Sequence, residues 1–312
     1  MSEFTACEGL GVAVLLPCRD QATTIENVVR GFREALPDAR IYVFDENSSD
    51  DTARQARKAG ARVLRGPSHT PSHAPNHAVW RMFADIDADI YLLAAGDGSC
   101  DPADASSLIN ALLTERVDMV VGTSAILGGC GTDDMRHGAG SVFDLYRRFF
   151  GTGLSARTSI YRALSRRFVK SFPPVSEGLS PQTELSLHAS ELMVPVASLS
   201  LDGGQGASER NPAENVRHAV SEVATFLRVM QVARPLPLFG IVGLVLGLLG
   251  FLAALPALSD IDSVQASALL SASAFVLAGI SLSCGLILES LRRSRLEQKR
   301  ILFLSVPALP IQ

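Results

Sequence analysis

Residues 90–104 read I-Y-L-L-A-A-G-D-G-S-C-D-P-A-D. The apolar run at 90–95 stops abruptly at Gly96-Asp97-Gly98, which predicts a buried strand of an α/β sheet. Asp101 follows as a helix cap, with Pro102 at the first helical position and Asp104 in the first turn. Asp97 therefore sits just past the carboxyl end of a buried strand, where open α/β sheets bind their ligands. A carboxylate held there by glycines suits a hard divalent cation carrying phosphates. An ordinary strand-to-helix turn would use the same letters, so the flanking sequence has to decide between the two.

Upstream, residues 12–16 form another apolar run, ending at Pro17-Cys18-Arg19-Asp20. Thr23-Thr24-Ile25-Glu26 has the form of a capping box, and Ile25, Val28, Val29, Phe32 and Leu36 follow at helical spacing. A second strand is predicted at 41–44, running into Asp45-Glu46-Asn47-Ser48-Ser49-Asp50. A helix at 50–59 then closes at Gly60. A short strand at 62–64 and a helix at 78–86 lead back to residue 90. Downstream, a fifth strand is expected at 118–122. Strand and helix alternate throughout, which predicts a mostly parallel sheet with right-handed crossovers.

Two predicted strand ends carry acids, Asp45-Glu46 and Asp97, and a third carries Arg19-Asp20. In a parallel sheet these ends converge on one edge, and three polar clusters meeting there point to a nucleotide site. The chain has no G-x-G-x-x-G after its first strand and no G-x-x-x-x-G-K-[ST]. A dinucleotide oxidoreductase and a P-loop NTPase are thereby disfavoured.

Beyond residue 123 the pattern weakens. Residues 138–150 read as an amphipathic segment whose Arg147-Arg148 pair belongs at lipid headgroups or on a solvated face. A helix is expected at 183–190, a strand at 193–201 and an amphipathic helix at 212–234. His69, His73 and His77 are evenly spaced, but Pro71 and Pro75 break any helix that would align them, so a solvated loop is expected. His137 and His188 read as packing or surface residues.

Charged residues make up 19% of the 312-residue chain, and the net charge is −4. That balance argues against nucleic acid as a partner. Five scattered cysteines without metal-ligand spacing read as free thiols in a reducing compartment. The first residues lack the profile of a secretory signal. Residues 236–258 and 263–288 contain no charge. Each run exceeds the roughly 20 residues that cross a bilayer. Arginines flank both, and Asp260 and Asp262 lie between them. The positive-inside rule then predicts a hairpin in a bacterial-type inner (cytoplasmic) membrane with both termini cytoplasmic. The expected organisation is a cytosolic domain at 1–211, a juxtamembrane helix at 212–234, two transmembrane helices at 235–290 and a basic tail at 291–312.

This combination resembles the polyprenyl-phosphate glycosyltransferases, family-2 transferases of GT-A fold similar to dolichyl-phosphate mannose synthase. Pro17-Cys18-Arg19-Asp20-Gln21 stands where that family has P-x-Y-N-E. Residues 45–52 match D-[DN]-x-S-x-D-x-T. Tyr161-Arg162 and Ser165-Arg166-Arg167-Phe168 fit S-G-Y-R-x-[FL]-S-R-R, and Thr183-Glu184-Leu185 fits E-T-E-L. The resemblance implies a GT-A α/β domain, a nucleotide-sugar donor, a Mg2+ or Mn2+ cofactor and a polyprenyl phosphate acceptor in the membrane. A second copy of the chain is left open as a partner. By the same resemblance, Pro17, Arg19, Asp20, Asp45, Glu46 and Asp97 hold the donor, and Asp97 is the metal ligand and catalytic carboxylate. Arg136, Arg162 and Arg210 are candidates for the acceptor phosphate, because the planar guanidinium matches phosphate oxygens.

The departures are specific. The family's D-x-D is Ala95-Gly96-Asp97, the acid before S-G-Y-R is Ala156, and the first glutamate of the E-T-E-L surroundings is replaced around Ser180. Mg2+ often uses one or two carboxylates plus phosphate oxygens, and a phosphate nucleophile needs little deprotonation. Two readings follow from the sequence: an inverting sugar transfer to polyprenyl phosphate, or a non-catalytic relative that binds lipid phosphate or nucleotide, or scaffolds an active transferase.

Overall fold

The computed structural model describes residues 9–66, 76–124, 159–173, 180–201, 235–255 and 264–309. Two compact units are present, one of residues 1–219 with 299–312 and one of residues 220–298.

The described part of the first unit is built on a seven-stranded sheet. Its strands are β1 (Val12–Cys18), β2 (Arg40–Asp45), β3 (Arg62–Arg65), β4 (Ile90–Leu93), β5 (Met119–Ser124), β6 (Arg162–Ser165) and β7 (Val196–Leu201). They lie in the order β3-β2-β1-β4-β6-β5-β7. Every neighbouring pair is parallel except those that β6 makes with β4 and β5. The expected mostly parallel α/β sheet is therefore observed, with one antiparallel strand inserted. That strand was not legible as one. It is four residues long and begins with an arginine, so no apolar run marks it.

Alternation along the central strands divides the core into two layers. Val12, Val14, Leu16, Ile41, Val43, Ile90 and Leu92 face α1 (Ile25–Ala35), α2 (Thr52–Lys58) and α4 (Ala105–Thr114). Ala13, Leu15, Tyr42, Phe44, Tyr91 and Leu93 face α3 (Asn76–Asp85), α5 (Arg166–Lys170) and α6 (Pro181–Leu192). Strand residues of opposite parity thus bury opposite faces, as a sheet covered on both sides requires. In α1 the apolar stripe is Ile25, Val28, Val29 and Phe32, all buried. Each such side chain contributes roughly 1.5–3 kcal/mol by leaving water.

Helix starts follow local chemistry at Asp101 and Ser180 and depart from it at Thr24. Asp101 accepts the Ala103 amide at 2.9 Å and Pro102 opens a 3-10 turn that leads into α4. Ser180 caps α6, accepting the Thr183 amide at 3.4 Å. The capping box expected at Thr23–Glu26 does not form: the cap position is Thr24, and its side chain makes no capping bond. Glu26 pairs instead with Arg30 and Lys58.

The second unit contains α7 (Pro235–Ala254) and the larger part of α8 (Val264–Ser305). Both are long and apolar enough to cross a membrane. Core helices of a soluble domain would bury their large side chains, whereas Leu244 is 70% and Leu269 is 73% exposed. The Ser281 hydroxyl donates to the Phe239 carbonyl at 2.9 Å, tying the two helices together as a hairpin. The expected amphipathic stretches at 138–150 and 212–234 lie outside the described residues.

Candidate functional site at the carboxyl ends of the central strands

Because β2, β1 and β4 are adjacent, their carboxyl ends share one edge of the sheet. Cys18 is in register with Asp45, and Leu15 with Leu93. The loops that follow carry Arg19-Asp20, Asp45-Glu46 and Asp97, so the three polar clusters meet at one rim. The buried Cys18 thiol records the meeting. Its pKa is pushed far up by burial first, then by the carboxylates of Asp45, Glu46 and Asp97. Pro17 is half-buried, one residue before this thiol.

Asp45 is buried at the end of β2. Its Oδ1 accepts the Ser48 amide at 2.9 Å, and its Oδ2 lies 3.5 Å from Nε of Arg65 on β3. Glu46 is half-buried, and burial raises its carboxyl above the ordinary range, an effect that Arg19 partly offsets. Arg19 itself is exposed.

The motif at 45–52 works largely as a fastener. Asp20 takes a left-handed backbone, φ +52, and its Oδ1 accepts both the amide (2.7 Å) and the hydroxyl (3.0 Å) of Ser49. The Asp20 amide donates to the Ser48 hydroxyl at 3.0 Å, and the Gln21 amide to Thr52 Oγ1 at 2.7 Å. The Ala22 amide donates to Asp50 at 2.9 Å. Asp50 also accepts the Thr52 hydroxyl and amide, and these bonds hold its carboxyl below the usual range. The β1–α1 and β2–α2 loops are thus laced into one rigid edge. Two carboxylates and two hydroxyls spaced for backbone amides do this, giving acceptors to amides that have left the sheet ladder.

Asp97 stands exposed at the rim, in the loop between β4 and the 3-10 turn. Its Oδ1 accepts the Ser99 amide at 2.9 Å, and Gly98 between them takes φ +86, which only glycine adopts without strain. Gly96 lies against the β1–α1 loop: a Cβ there would come within 2.2 Å of the Cys18 sulfur and 2.5 Å of Gln21 Oε1. Ala95, at the first D-x-D position, is half-buried and packs on the core.

Arg162 requires a correction. It lies on β6 with no exposed surface. Its Nε donates to the Ser159 carbonyl at 2.9 Å and its Nη1 to the Ser186 hydroxyl at 3.0 Å, and burial pushes its pKa down to about 9. A guanidinium enclosed between strand and helix is not open to a lipid phosphate, so the acceptor role expected for it does not fit this structure. The neighbouring motif residues are structural too: the Tyr161 hydroxyl donates to the Asp101 carbonyl at 2.9 Å, and Ser165 and Arg167 both bond Asp118. Arg136, Arg210, Ala156 and the histidine loop at 69–77 lie outside the residues whose side chains are described.

Two residues of the rim are not legible as part of the site from the sequence: Arg65, and Thr24, which reads only as part of the capping box. Arg65 reaches Asp45 from the neighbouring strand, and Thr24 reaches the Asp97 loop from α1 across 72 residues of chain. Only strand adjacency brings either into play, so no local spacing signals them.

Residues 13–172 match the family described as Glycosyl transferase family 2. Protein RfbJ of Shigella flexneri is 43% identical over 111 residues, covering 36% of this chain and 83% of that protein. An uncharacterized protein of the same organism is 32% identical over 151 residues, covering 46% of this chain and 93% of its own length. Among solved structures, glucosyl-3-phosphoglycerate synthase from Mycobacterium tuberculosis aligns with a TM-score of 0.56 at 23% identity, over 72% of this chain and 82% of that one. The same synthase crystallised with Mn2+ and UDP-glucose aligns with a TM-score of 0.56 at 24% identity, over 72% and 80% of the two chains. At that identity the likeness establishes the GT-A fold.

Proposed function

The chain belongs to glycosyl transferase family 2, and from that premise we propose that it moves a sugar from a nucleotide-sugar to a polyprenyl phosphate at a membrane, as a dolichyl-phosphate mannose synthase-like enzyme. The observation that carries the acceptor assignment is the pair of exposed apolar helices α7 and α8, in the same chain as an acidic nucleotide-type rim. A transferase with a soluble acceptor has no need of such a hairpin, whereas a lipid acceptor presents its phosphate only at a bilayer surface.

In this reading Asp45, Glu46, Pro17, Arg19 and Asp20 form the nucleoside side of the pocket, and Asp97 faces the diphosphate. The rim suits a divalent cation that arrives with the donor. Asp97 is exposed and commits Oδ1 to the Ser99 amide, leaving Oδ2 free of any hydrogen bond among the described residues. Those residues include no cluster of three His, Cys, Asp or Glu side chains that would cage a metal alone. Mg2+ and Mn2+ both accept such a site, with phosphate oxygens and water as the remaining ligands. The Mn2+ held with UDP-glucose by the Mycobacterium synthase supports this reading. Bound there, the cation would neutralise charge on the leaving diphosphate.

The bond made joins a lipid-phosphate oxygen to the anomeric carbon, and the bond broken joins that carbon to the nucleoside diphosphate. Attack from the opposite face inverts the anomeric centre. A phosphate anion is already a competent nucleophile, so the alanine at position 156 does not remove a base the reaction requires. Arg136 and Arg210 remain the candidates for holding the acceptor phosphate. The membrane reading has both termini in the cytoplasm, with the arginines that follow α8's apolar part at the inner surface.

The test is direct. Full-length protein in detergent is incubated with a panel of nucleotide-sugars, Mn2+ or Mg2+, and a polyprenyl phosphate, and lipid-linked sugar is measured. Metal-dependent formation of that product is expected. Donor hydrolysis or transfer only to a soluble phosphorylated acid would overturn the lipid assignment. Metal-dependent donor binding without transfer to any acceptor would favour the non-catalytic reading that Ala95 raises.

A further inference from the structure

We infer that Thr24 is a positioning residue for Asp97, acting through the carbonyl of Gly96; the inference rests on the reading of Asp97 as the donor-facing carboxylate. The Thr24 hydroxyl donates to the Gly96 carbonyl at 3.0 Å, with the Gln21 carbonyl farther off at 3.4 Å. Thr24 occupies the cap position of α1, where its side chain would ordinarily accept an amide of its own helix. It makes no such bond. The side chain is turned outward from its helix and spent on a loop 72 residues away.

Gly96 is also fixed by contact. Gly96 packs so closely on Cys18, Gln21 and Ile25 that a Cβ would meet all three at 3.2 Å or less. The backbone just before Asp97 is therefore both packed against and hydrogen-bonded to one stretch, residues 18–25, at the start of α1. The β1–α1 loop is itself immobilised by Ser48, Asp50 and Thr52 through the amides of Asp20, Ala22 and Gln21. A continuous path of hydrogen bonds and contacts runs from the acidic loop after β2 to the peptide that aims Asp97. Such an arrangement has a specific use when the first D-x-D carboxylate is alanine. With two acids, a cation can be held by either while the loop adjusts. With Asp97 alone, the direction of one carboxylate decides whether diphosphate and metal are met together, and small misplacements cost binding.

Three single variants of the full-length protein in detergent test this: Thr24→Val, which keeps shape and removes the donor; Thr24→Ser, which restores it; and Asp97→Asn. Hydrogen exchange is followed at the amides of residues 95–99, and calorimetry follows binding of UDP, GDP and dTDP across a Mn2+ titration. Thr24→Val should speed exchange at 95–99. It should also raise the Mn2+ concentration for half-maximal nucleotide binding about two- to tenfold, the range commanded by one neutral hydrogen bond. Thr24→Ser should return both towards the parent. Parent-like exchange in Thr24→Val overturns the inference, as does faster exchange with an unchanged Mn2+ requirement. If Asp97→Asn leaves Mn2+-dependent binding intact, or the parent shows none, the reading of Asp97 falls and the role of Thr24 falls with it. If Asp97→Asn abolishes that binding while Thr24→Val does not weaken it, Thr24 alone is refuted.

Discussion

Arg167 clasps Asp118 with two parallel bonds, from Nε to Oδ1 at 2.5 Å and from Nη2 to Oδ2 at 2.7 Å. Asp118 is buried at the start of β5, and its Oδ1 also accepts the Ser165 hydroxyl at 2.7 Å. The fork fastens the end of the antiparallel β6 to the strand beside it.

Removing Asp118 leaves the partly exposed Arg167 guanidinium and the buried Ser165 hydroxyl without their acceptor. Asp118→Ala should therefore destabilise the protein by about 1–3 kcal/mol, below the range for fully buried pairs because Arg167 is partly exposed. Thermal unfolding of the detergent-solubilised protein should show a drop of several degrees. An unchanged midpoint would mean that the clasp contributes nothing to holding β6.

Asp97→Asn should weaken nucleotide-sugar binding in Mn2+ by about tenfold or more, a loss of ~1.4 kcal/mol, and more than any other single carboxylate change. Asp45→Asn should cost less in metal dependence and more in folding, since Asp45 is buried against Ser48 and Arg65. Calorimetry with and without Mn2+ separates the two. Equal affinities for parent and Asp97→Asn would remove the metal from this rim.

Ala95→Asp should not raise the transfer rate tenfold, the equivalent of ~1.4 kcal/mol of transition-state stabilisation. Ala95 is half-buried and packs on the core, so a carboxylate there must be partly desolvated before any cation arrives. Initial rates of parent and variant decide it. A tenfold gain would identify the missing acid as the limiting defect of this rim.

His188 makes stability depend on acid. It is buried between Phe168 and Phe172, and Nε2 lies 3.0 Å from the Ser171 hydroxyl. Burial, and secondarily Lys299, push its pKa down from the ordinary 6.5 to about 3. The unfolded chain therefore binds the proton first, and stability present above pH ~6.5 is lost progressively as pH falls towards ~3. Unfolding midpoints should drop between pH 7.5 and 5.5, before most carboxylates titrate. His188→Gln should flatten that drop; an identical slope in the variant would remove His188 as its cause.

The C-terminal segment is integral to the first unit. Lys299 Nζ lies 2.5 Å from Glu191 Oε2, Phe303 stacks under Arg167 at 4.8 Å, and Leu309 packs against the core. Lys299→Ala should cost about 2–4 kcal/mol, because both partners are largely buried. The reversed pair Lys299→Glu with Glu191→Lys should recover part of that loss. Thermal unfolding checks both, and a neutral Lys299→Ala would show the contact to be incidental.

The residues by themselves determined the alternation of strands and helices, the edge on which the acids would meet, and the two apolar helices. These depend on periodicity and short-range stereochemistry: apolar parity in β1, β2 and β4, the Asp101-Pro102 start, and charge-free runs too long for an ordinary core helix. Family likeness in the motifs added the expectation of a donor on that edge. The tertiary structure alone decided what individual polar residues do, because hydrogen bonding depends on which strand ends become neighbours. Asp50 and Thr52 fasten a loop, Arg162 disappears between β6 and α6, and Thr24 leaves its capping place to hold Gly96. The same motif letters would serve an open phosphate site or a closed structural latch. The difference is burial, and burial belongs to the packed chain rather than to any stretch of it.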